Sequence, residues 1–106
     1  MTNSASEFDR IASLFVAANA DVQLGKMMSS PGLKCNDKVF AFFGKDGMGF
    51  RLGPAFDPIA LGLSNPMPLN PFKTKPPLKG WYVVGEAEQD KWEAVAARAL
   101  NFTRRL

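Results

Sequence analysis

The sequence predicts a two-layer α+β domain with an antiparallel five-stranded sheet, in the element order α-βββ-α-ββ-α. Apolar residues recur at three- and four-residue intervals near both ends of the chain, which is typical of amphipathic helices. Short apolar runs separated by turn residues fill positions 22–52, and another run at positions 81–84 lies between two glycines. A length of 106 residues fits one domain that spans residues 1–106.

The first helix is predicted over residues 5–19. Ser4 and Ser6 each precede an acidic residue by three positions, a spacing typical of a helix N-cap. The apolar residues that follow lie on one helix face, so this face should pack on the sheet. They are Phe8, Ile11, Phe15 and Ala18.

A three-stranded antiparallel meander is predicted after this helix. In its first strand, Pro31 has no backbone N–H group to donate to a neighbouring strand, and Gly32 has no side chain to pack. We therefore expect an irregularity or bulge there. Asn36 and Asp37 favour a tight turn, and residues 44–47 favour a second one. The predicted strands cover residues 22–34 (with a pause at 29–32), 38–43 and 48–52.

The middle strand of this meander is apolar on both faces. Strict alternation places Val39, Ala41 and Phe43 on one face, and Phe40 and Phe42 on the other. Because the helices cover one face, Phe40 and Phe42 need other cover, either from the chain's own proline-rich segment, from a second subunit or from a ligand. Cover by the chain's own segment is favoured, because large apolar patches on monomers are unusual. Where that cover is incomplete, we predict a partner surface at these two residues and a homodimer that buries them or the segment beside them.

The rest of the chain supplies the remaining elements. Pro54 can open a short helix that ends near Leu63. Seven of the eight prolines lie within residues 54–77, which favours an extended edge segment near Met67–Phe72 over a regular central strand. Residues 81–84 form a strand, and the last helix covers residues 86–105. Its apolar face carries Trp92, Val95, Ala96, Ala99, Phe102 and Leu106.

Three motifs and a tryptophan carry a family resemblance. Residues 27–33 read MMSSPGL, residues 36–41 read NDKVFA and residues 78–84 read LKGWYVV, with Trp92 in the last helix. Together they resemble the TfoX/Sxy N-terminal domain family, over nearly the whole chain after residue 20. That family typically shows a Met-Phe-Gly-Gly-like or Met-Met-Gly-Ser-Pro-Gly-like opening, a Gly-Lys-Val-Phe-Ala-like strand and a tryptophan strand before the closing helix. This sequence departs from the opening because Ser29 and Ser30 replace the glycines common there.

The resemblance implies a fold related to YjbR-like proteins and secretion chaperones. It also implies a bacterial regulatory or adaptor role, because two-domain members regulate competence-gene expression alongside a cyclic-AMP-dependent activator. Those members have a helical C-terminal domain, which we expect this chain to lack because it stops at Leu106.

Composition is that of an ordinary globular protein, with 46% hydrophobic and 22% charged residues. No apolar run approaches the roughly 20 residues that span a bilayer, and the first ten residues do not resemble a secretory signal. Cys35 is the single cysteine and cannot form an internal disulfide, which fits a reducing compartment. We therefore expect a cytoplasmic protein without membrane partners.

The sequence offers little for catalysis. It contains no histidine, and Cys35 has no adjacent general base in the sequence. The acidic residues are scattered, without the clustering of a metal site. We therefore predict no catalytic, cofactor-binding or metal-binding residues.

Three functions from different classes follow from these observations. The first is a small non-enzymatic interaction module that binds a protein partner or a second copy of itself. The second is a nucleic-acid-associated regulator, because the net charge is +3 and basic residues gather in a loop and near the C-terminus. The third is an enzyme that uses Cys35 or carboxylates. The basic residues are Lys73, Lys75 and Lys79 in the loop, and Arg98, Arg104 and Arg105 in the last helix.

Overall fold

Antiparallel strands form one open sheet, and two α-helices pack on one of its faces, in the computed structural model of the chain. The structure describes residues 4–27, 30–44, 47–53, 56, 62–63, 67–68 and 80–106. The helices are α1 (Ser4–Ala18) and α2 (Trp92–Arg104), and a 3-10 helix (Glu86–Lys91) leads into α2. The strands are β1 (Val22–Met27), β2 (Ser30–Cys35), β3 (Lys38–Gly44), β4 (Gly47–Arg51), β5 (Met67–Pro68) and β6 (Trp81–Val84). In space they follow the order β1-β2-β3-β4-β6-β5.

The α+β class, the antiparallel sheet and the helices at both ends are confirmed, but the number of strands is six within the described residues. The first predicted strand is in fact a hairpin, because the chain reverses between Met27 and Ser30 and residue pairs run from Val22–Cys35 to Met27–Ser30. Pro31 is accommodated because the ladder between β2 and β3 ends at Gly32, so no bond to β3 requires its missing N–H group there.

The turn at Asn36 and Asp37 is confirmed. Both residues have positive φ values, 50° and 68°, as a two-residue hairpin turn requires, and asparagine and aspartate tolerate this conformation better than most residues. The turn pairs Cys35 with Lys38 and so sets the start of the register between β2 and β3.

A β-bulge in β3 changes which of its side chains face the helices, so the predicted faces were partly wrong. Leu33 pairs with Ala41 and Lys34 pairs with Val39, so Phe40 is an extra residue in β3. The bulge interrupts the alternation, and Phe40 joins the helix-side core while Phe42 faces away from the helices. The irregularity expected at Pro31-Gly32 is absent from the pairing of β1 with β2, and the bulge lies instead in β3, opposite Leu33 and Lys34.

Aromatic side chains connect both helices to the sheet. The Phe43 ring stacks on Phe8 of α1, with 5.5 Å between ring centroids, and lies edge-on to Trp92 of α2 at 6.2 Å. Trp92 is fully buried, and its indole Nε1 donates a hydrogen bond to the Val84 carbonyl oxygen at 3.0 Å. This bond ties the start of α2 to the end of β6.

The last predicted helix divides into two parts. Residues 86–91 form the 3-10 helix. The backbone is non-helical at Glu88 (φ −113°, ψ 27°), inside this segment, so the first turn of the 3-10 helix is not continuous with α2. The predicted helix after Pro54 lies largely outside the described residues. Of the predicted proline-rich edge segment, Met67 and Pro68 are described, and they pair with β6 as an edge strand.

Candidate functional site

A groove of about 680 Å³ lies between α1 and the β1–β2 hairpin. It is the larger of two cavities that stand out in the described part of the chain. The lining is mostly apolar, and its two charged members, Asp9 and Lys26, have opposite signs. The described lining residues are Phe8, Asp9, Ala12, Ser13, Val16, Ala17, Leu24, Gly25, Lys26, Pro31 and Gly32.

The groove exposes apolar side chains that a core would normally cover. Leu24 of β1 is 66% exposed and Val16 of α1 is 38% exposed. Leu24 pairs with the buried Leu33 and therefore lies on the helix side of the sheet, but α1 does not extend over it. An exposed leucine beside an exposed valine in a concave apolar site is typical of a binding surface.

Glycine at position 32 is required by the packing of the hairpin on β3. A Cβ atom at this position would lie 2.5 Å from the Ala41 carbonyl oxygen, closer than such atoms can approach. Gly32 therefore lets β2 lie close to β3 and sets the position of the hairpin that forms one wall of the groove.

β1 is the edge strand on this side of the sheet, because it pairs with β2 alone. The Asn36 N–H group donates to the Asp21 carbonyl oxygen at 3.4 Å, which marks Asp21 and Asn36 as a hydrogen-bonded pair. Since such pairs alternate, the backbone groups of Leu24 and Lys26 point away from β2. Among the described residues, they have no backbone partner.

A second cluster joins Cys35 to two charged side chains. The Cys35 thiol donates to Asp21 Oδ2 at 3.3 Å, and Arg104 Nε donates to the same oxygen at 2.7 Å. Arg104 Nη2 also donates to Asp21 Oδ1 and to Asn19 Oδ1, both at 2.9 Å. The cluster therefore connects the end of α2 to the turn between α1 and β1.

The electrostatics of this cluster work against a nucleophilic cysteine. The thiol is buried, and burial raises its pKa; the neighbouring Asp21 carboxylate raises the pKa further. Hydrogen bonds from Arg104 hold the pKa of Asp21 well below its usual range. Cys35 therefore stays a neutral thiol that donates to a carboxylate, which indicates a structural contact between elements.

The predicted basic surface is divided. Arg104 is occupied by Asp21, whereas Arg98 and Arg105 line a second pocket of about 320 Å³ with Asn101 between them on α2. The predicted Lys73, Lys75 and Lys79 lie outside the described residues. The structure thus brings two of the six basic residues together at one pocket.

Strict alternation predicted that Phe40 and Phe42 share one face of the sheet, but they lie on opposite faces. Phe40 is 0% exposed within the helix-side core, and Phe42 is 7% exposed on the opposite face, where its ring lies 5.8 Å from that of Trp81. Gly49 makes room for the Phe42 ring, since a Cβ atom there would lie 2.2 Å from it. Both rings are buried in one chain, so the predicted contact through them lacks the surface it requires, while the homodimer itself stays a prediction.

Sequence reasoning missed Leu24, Val16 and the open edge of β1. A signal was present, because Leu14, Val16 and Ala17 are apolar residues outside the predicted α1 stripe. Such residues predict an uncovered apolar helix flank. Exposure of Leu24 could not be deduced because it depends on where α1 ends over the sheet.

The described residues contain no group of three or more acidic, cysteine or histidine side chains placed to hold a metal ion. Nor does any helix in the part of the chain with described placement have the length and apolar character needed to cross a membrane. Comparison with protein-family models, with characterised proteins and with solved structures gave no match. Membership of the TfoX/Sxy N-terminal family stays a prediction from the sequence motifs.

Proposed function

We propose that this chain is a small cytoplasmic interaction module of the TfoX N-terminal type, without catalytic activity. It binds a segment of a partner protein in the groove between α1 and the β1–β2 hairpin. The observation that carries the proposal is the exposure of Leu24 and Val16 in a concave apolar site. Burying such side chains against a partner is favourable by roughly 25 cal/mol per Å² of apolar surface. The resemblance of the motifs to the TfoX N-terminal family supports an adaptor or regulatory role.

Charge supports a protein partner over a nucleic acid at this site. Asp9 and Lys26 give the described groove lining no net charge, whereas nucleic-acid surfaces gather positive side chains that neutralise phosphates. The second pocket is lined by Arg98 and Arg105, which could contact a phosphate. Arg104 forms an ion pair with the Asp21 carboxylate instead. An enzyme based on Cys35 is disfavoured because its thiol is buried and its pKa is raised.

Two matched variants on α1 test the proposal. Val16 lines the groove, whereas Leu14 does not, and their exposed fractions are similar at 38% and 43%. The probe is a phage-displayed library of random linear peptides, selected on the unmodified chain. Peptides chosen in this way are synthesised, and their affinities for Val16→Glu and Leu14→Glu are measured after circular dichroism has shown that both variants fold.

The proposal predicts that Val16→Glu lowers peptide affinity by about tenfold or more, because a carboxylate would be desolvated in an apolar contact. Leu14→Glu should stay within about threefold of the unmodified chain. The absence of any selected peptide, or an equal loss in the two variants, would overturn the proposal.

A further inference from the structure

We infer that the partner segment binds in an extended conformation and adds a strand to the free edge of β1, with an apolar side chain in the groove. This inference rests on the proposed function and states the chemistry of the partner. It requires backbone groups that face outward at the edge, and an apolar site on the side of the sheet to which the added strand's side chains point.

The backbone of β1 meets the first requirement. The Asn36 to Asp21 bond fixes which residues face outward, because hydrogen-bonded pairs alternate along the uninterrupted register from Val22–Cys35 to Met27–Ser30. It places the bonds to β2 on the odd-numbered residues of β1. The Val22 N–H group, which faces outward by the same rule, donates to the Asn19 carbonyl oxygen at 3.1 Å. Leu24 and Lys26 thus offer a peptide two N–H donors and two carbonyl acceptors.

The groove meets the second requirement. In an antiparallel or parallel sheet, residues that stand opposite one another place their side chains on the same face. A peptide residue opposite Leu24 would therefore point to the helix side, beside Leu24 and the exposed flank of α1 at Ser13 and Val16. An aliphatic or aromatic side chain fits this lining best.

The size of the surface favours a peptide over a second copy of the chain. β1 has six residues and is roughly 20 Å long, and a strip about 10 Å wide along it covers roughly 200 Å². Stable dimers bury about 800 Å² on each partner. The strip is thus about the size of a segment of four to six extended residues. Because the charges of Asp9 and Lys26 are opposite, the groove has no net attraction for a charged partner.

N-methylated peptides test strand addition with the chain unchanged. A peptide selected from the random library is resynthesised with one backbone N–H group methylated at a time. Strand addition predicts that methylation lowers affinity about tenfold at alternate residues, whose N–H groups bond to β1, and by less than about threefold at the residues between them. Equal effects along the peptide, as a helical occupant or a side-chain contact would give, would overturn the inference.

Two variants of Lys26 test the same point from the protein side. Lys26→Pro removes an outward N–H group at an edge position where proline is tolerated, whereas Lys26→Ala removes the side chain and keeps that N–H group. We expect Lys26→Pro to bind the peptide about tenfold more weakly than Lys26→Ala, which accounts for the loss of the side chain. Equal affinities of the two variants for the peptide would contradict strand addition.

The two proposals fail in different ways. If Val16→Glu abolishes peptide binding but the methylation pattern shows no alternation, the groove is the site and the extended mode is wrong. If the peptides bind equally well to Val16→Glu, the groove itself is wrong. Light scattering in the absence of peptide adds a third arm, since a dimer that Leu24→Glu dissociates would show that a second copy occupies the edge.

Discussion

Replacing Trp92 by phenylalanine removes the hydrogen bond that ties α2 to the sheet while keeping an aromatic ring in the core. Trp92 is 0% exposed, and its Nε1 group donates to the Val84 carbonyl oxygen at 3.0 Å. Loss of the donor from a buried carbonyl costs about 1–3 kcal/mol. The smaller ring leaves a void that costs about 1 kcal/mol more. Trp92→Phe should therefore lower the free energy of unfolding by about 2–4 kcal/mol.

This change is measurable as a shift of the melting temperature. At about 4–8 °C for each kcal/mol in a domain of this size, the expected fall is at least about 8 °C. The assay is thermal and urea denaturation followed by circular dichroism. Leu106→Ala is the control, because Leu106 is 52% exposed and its truncation should change stability by less than about 0.5 kcal/mol. A melting temperature of Trp92→Phe within about 2 °C of the unmodified chain would refute the docking of α2 described above.

Three further outcomes concern Thr103, the Asp21 carboxylate and the Cys35 thiol. The Thr103 hydroxyl is buried without a hydrogen-bond partner in the described structure, so Thr103→Val should raise the free energy of unfolding by about 1 kcal/mol in urea denaturation; a decrease would show that the hydroxyl is bonded. Arg104 lowers the pKa of Asp21 in the folded chain below the ordinary carboxyl pKa of about 3.9. The ionised carboxylate therefore stabilises the fold at pH values above about 3.9. This stabilisation is lost as the pH falls through the pKa that Asp21 has in the folded state. The stability difference between the unmodified chain and Asp21→Asn should accordingly be constant from about pH 5 to 7 and shrink below about pH 4; a difference that persists unchanged to about pH 2 would contradict this. Finally, the buried Cys35 thiol should react with a thiol reagent at neutral pH only after unfolding, and stoichiometric labelling of the native chain within minutes would disprove its inert role.

Periodicity was enough to predict α1, most of α2 and the class of the fold. Phe8, Ile11 and Phe15 of the predicted stripe are buried as expected, whereas Ala18 is exposed. The turn at Asn36 and Asp37 follows from residue types that tolerate positive φ. These features depend on local sequence, which a single chain displays directly.

The strand count and the faces of β3 could not be predicted in the same way. A hairpin between Met27 and Ser30 and a long irregular strand have nearly the same local pattern, and pairing between strands decides between them. The bulge at Phe40 depends on the register between β2 and β3, which alternation along one strand does not contain. The prediction that Phe40 and Phe42 share one face of the sheet was wrong for this reason, whereas their burial agrees with cover by the chain itself.

The candidate site was missed because it arises from the relative placement of elements. The groove exists where α1 leaves Leu24 uncovered, and β1 has a free edge among the described strands because it is the first of them in space. The Cys35, Asp21 and Arg104 cluster likewise joins residues up to 83 positions apart in the chain. Such sites become visible when the topology is known.

Residue-resolved amide hydrogen exchange tests the central claim, that β1 is a free edge which takes up a partner strand. The account predicts that the Gln23 and Gly25 amides, which bond to β2, are protected in the free chain, whereas those of Leu24 and Lys26 exchange rapidly. Addition of a selected peptide should slow exchange at Leu24 and Lys26 by at least about tenfold. Protection of these two amides in the free chain, or unchanged exchange at both when the peptide is bound, would contradict the account.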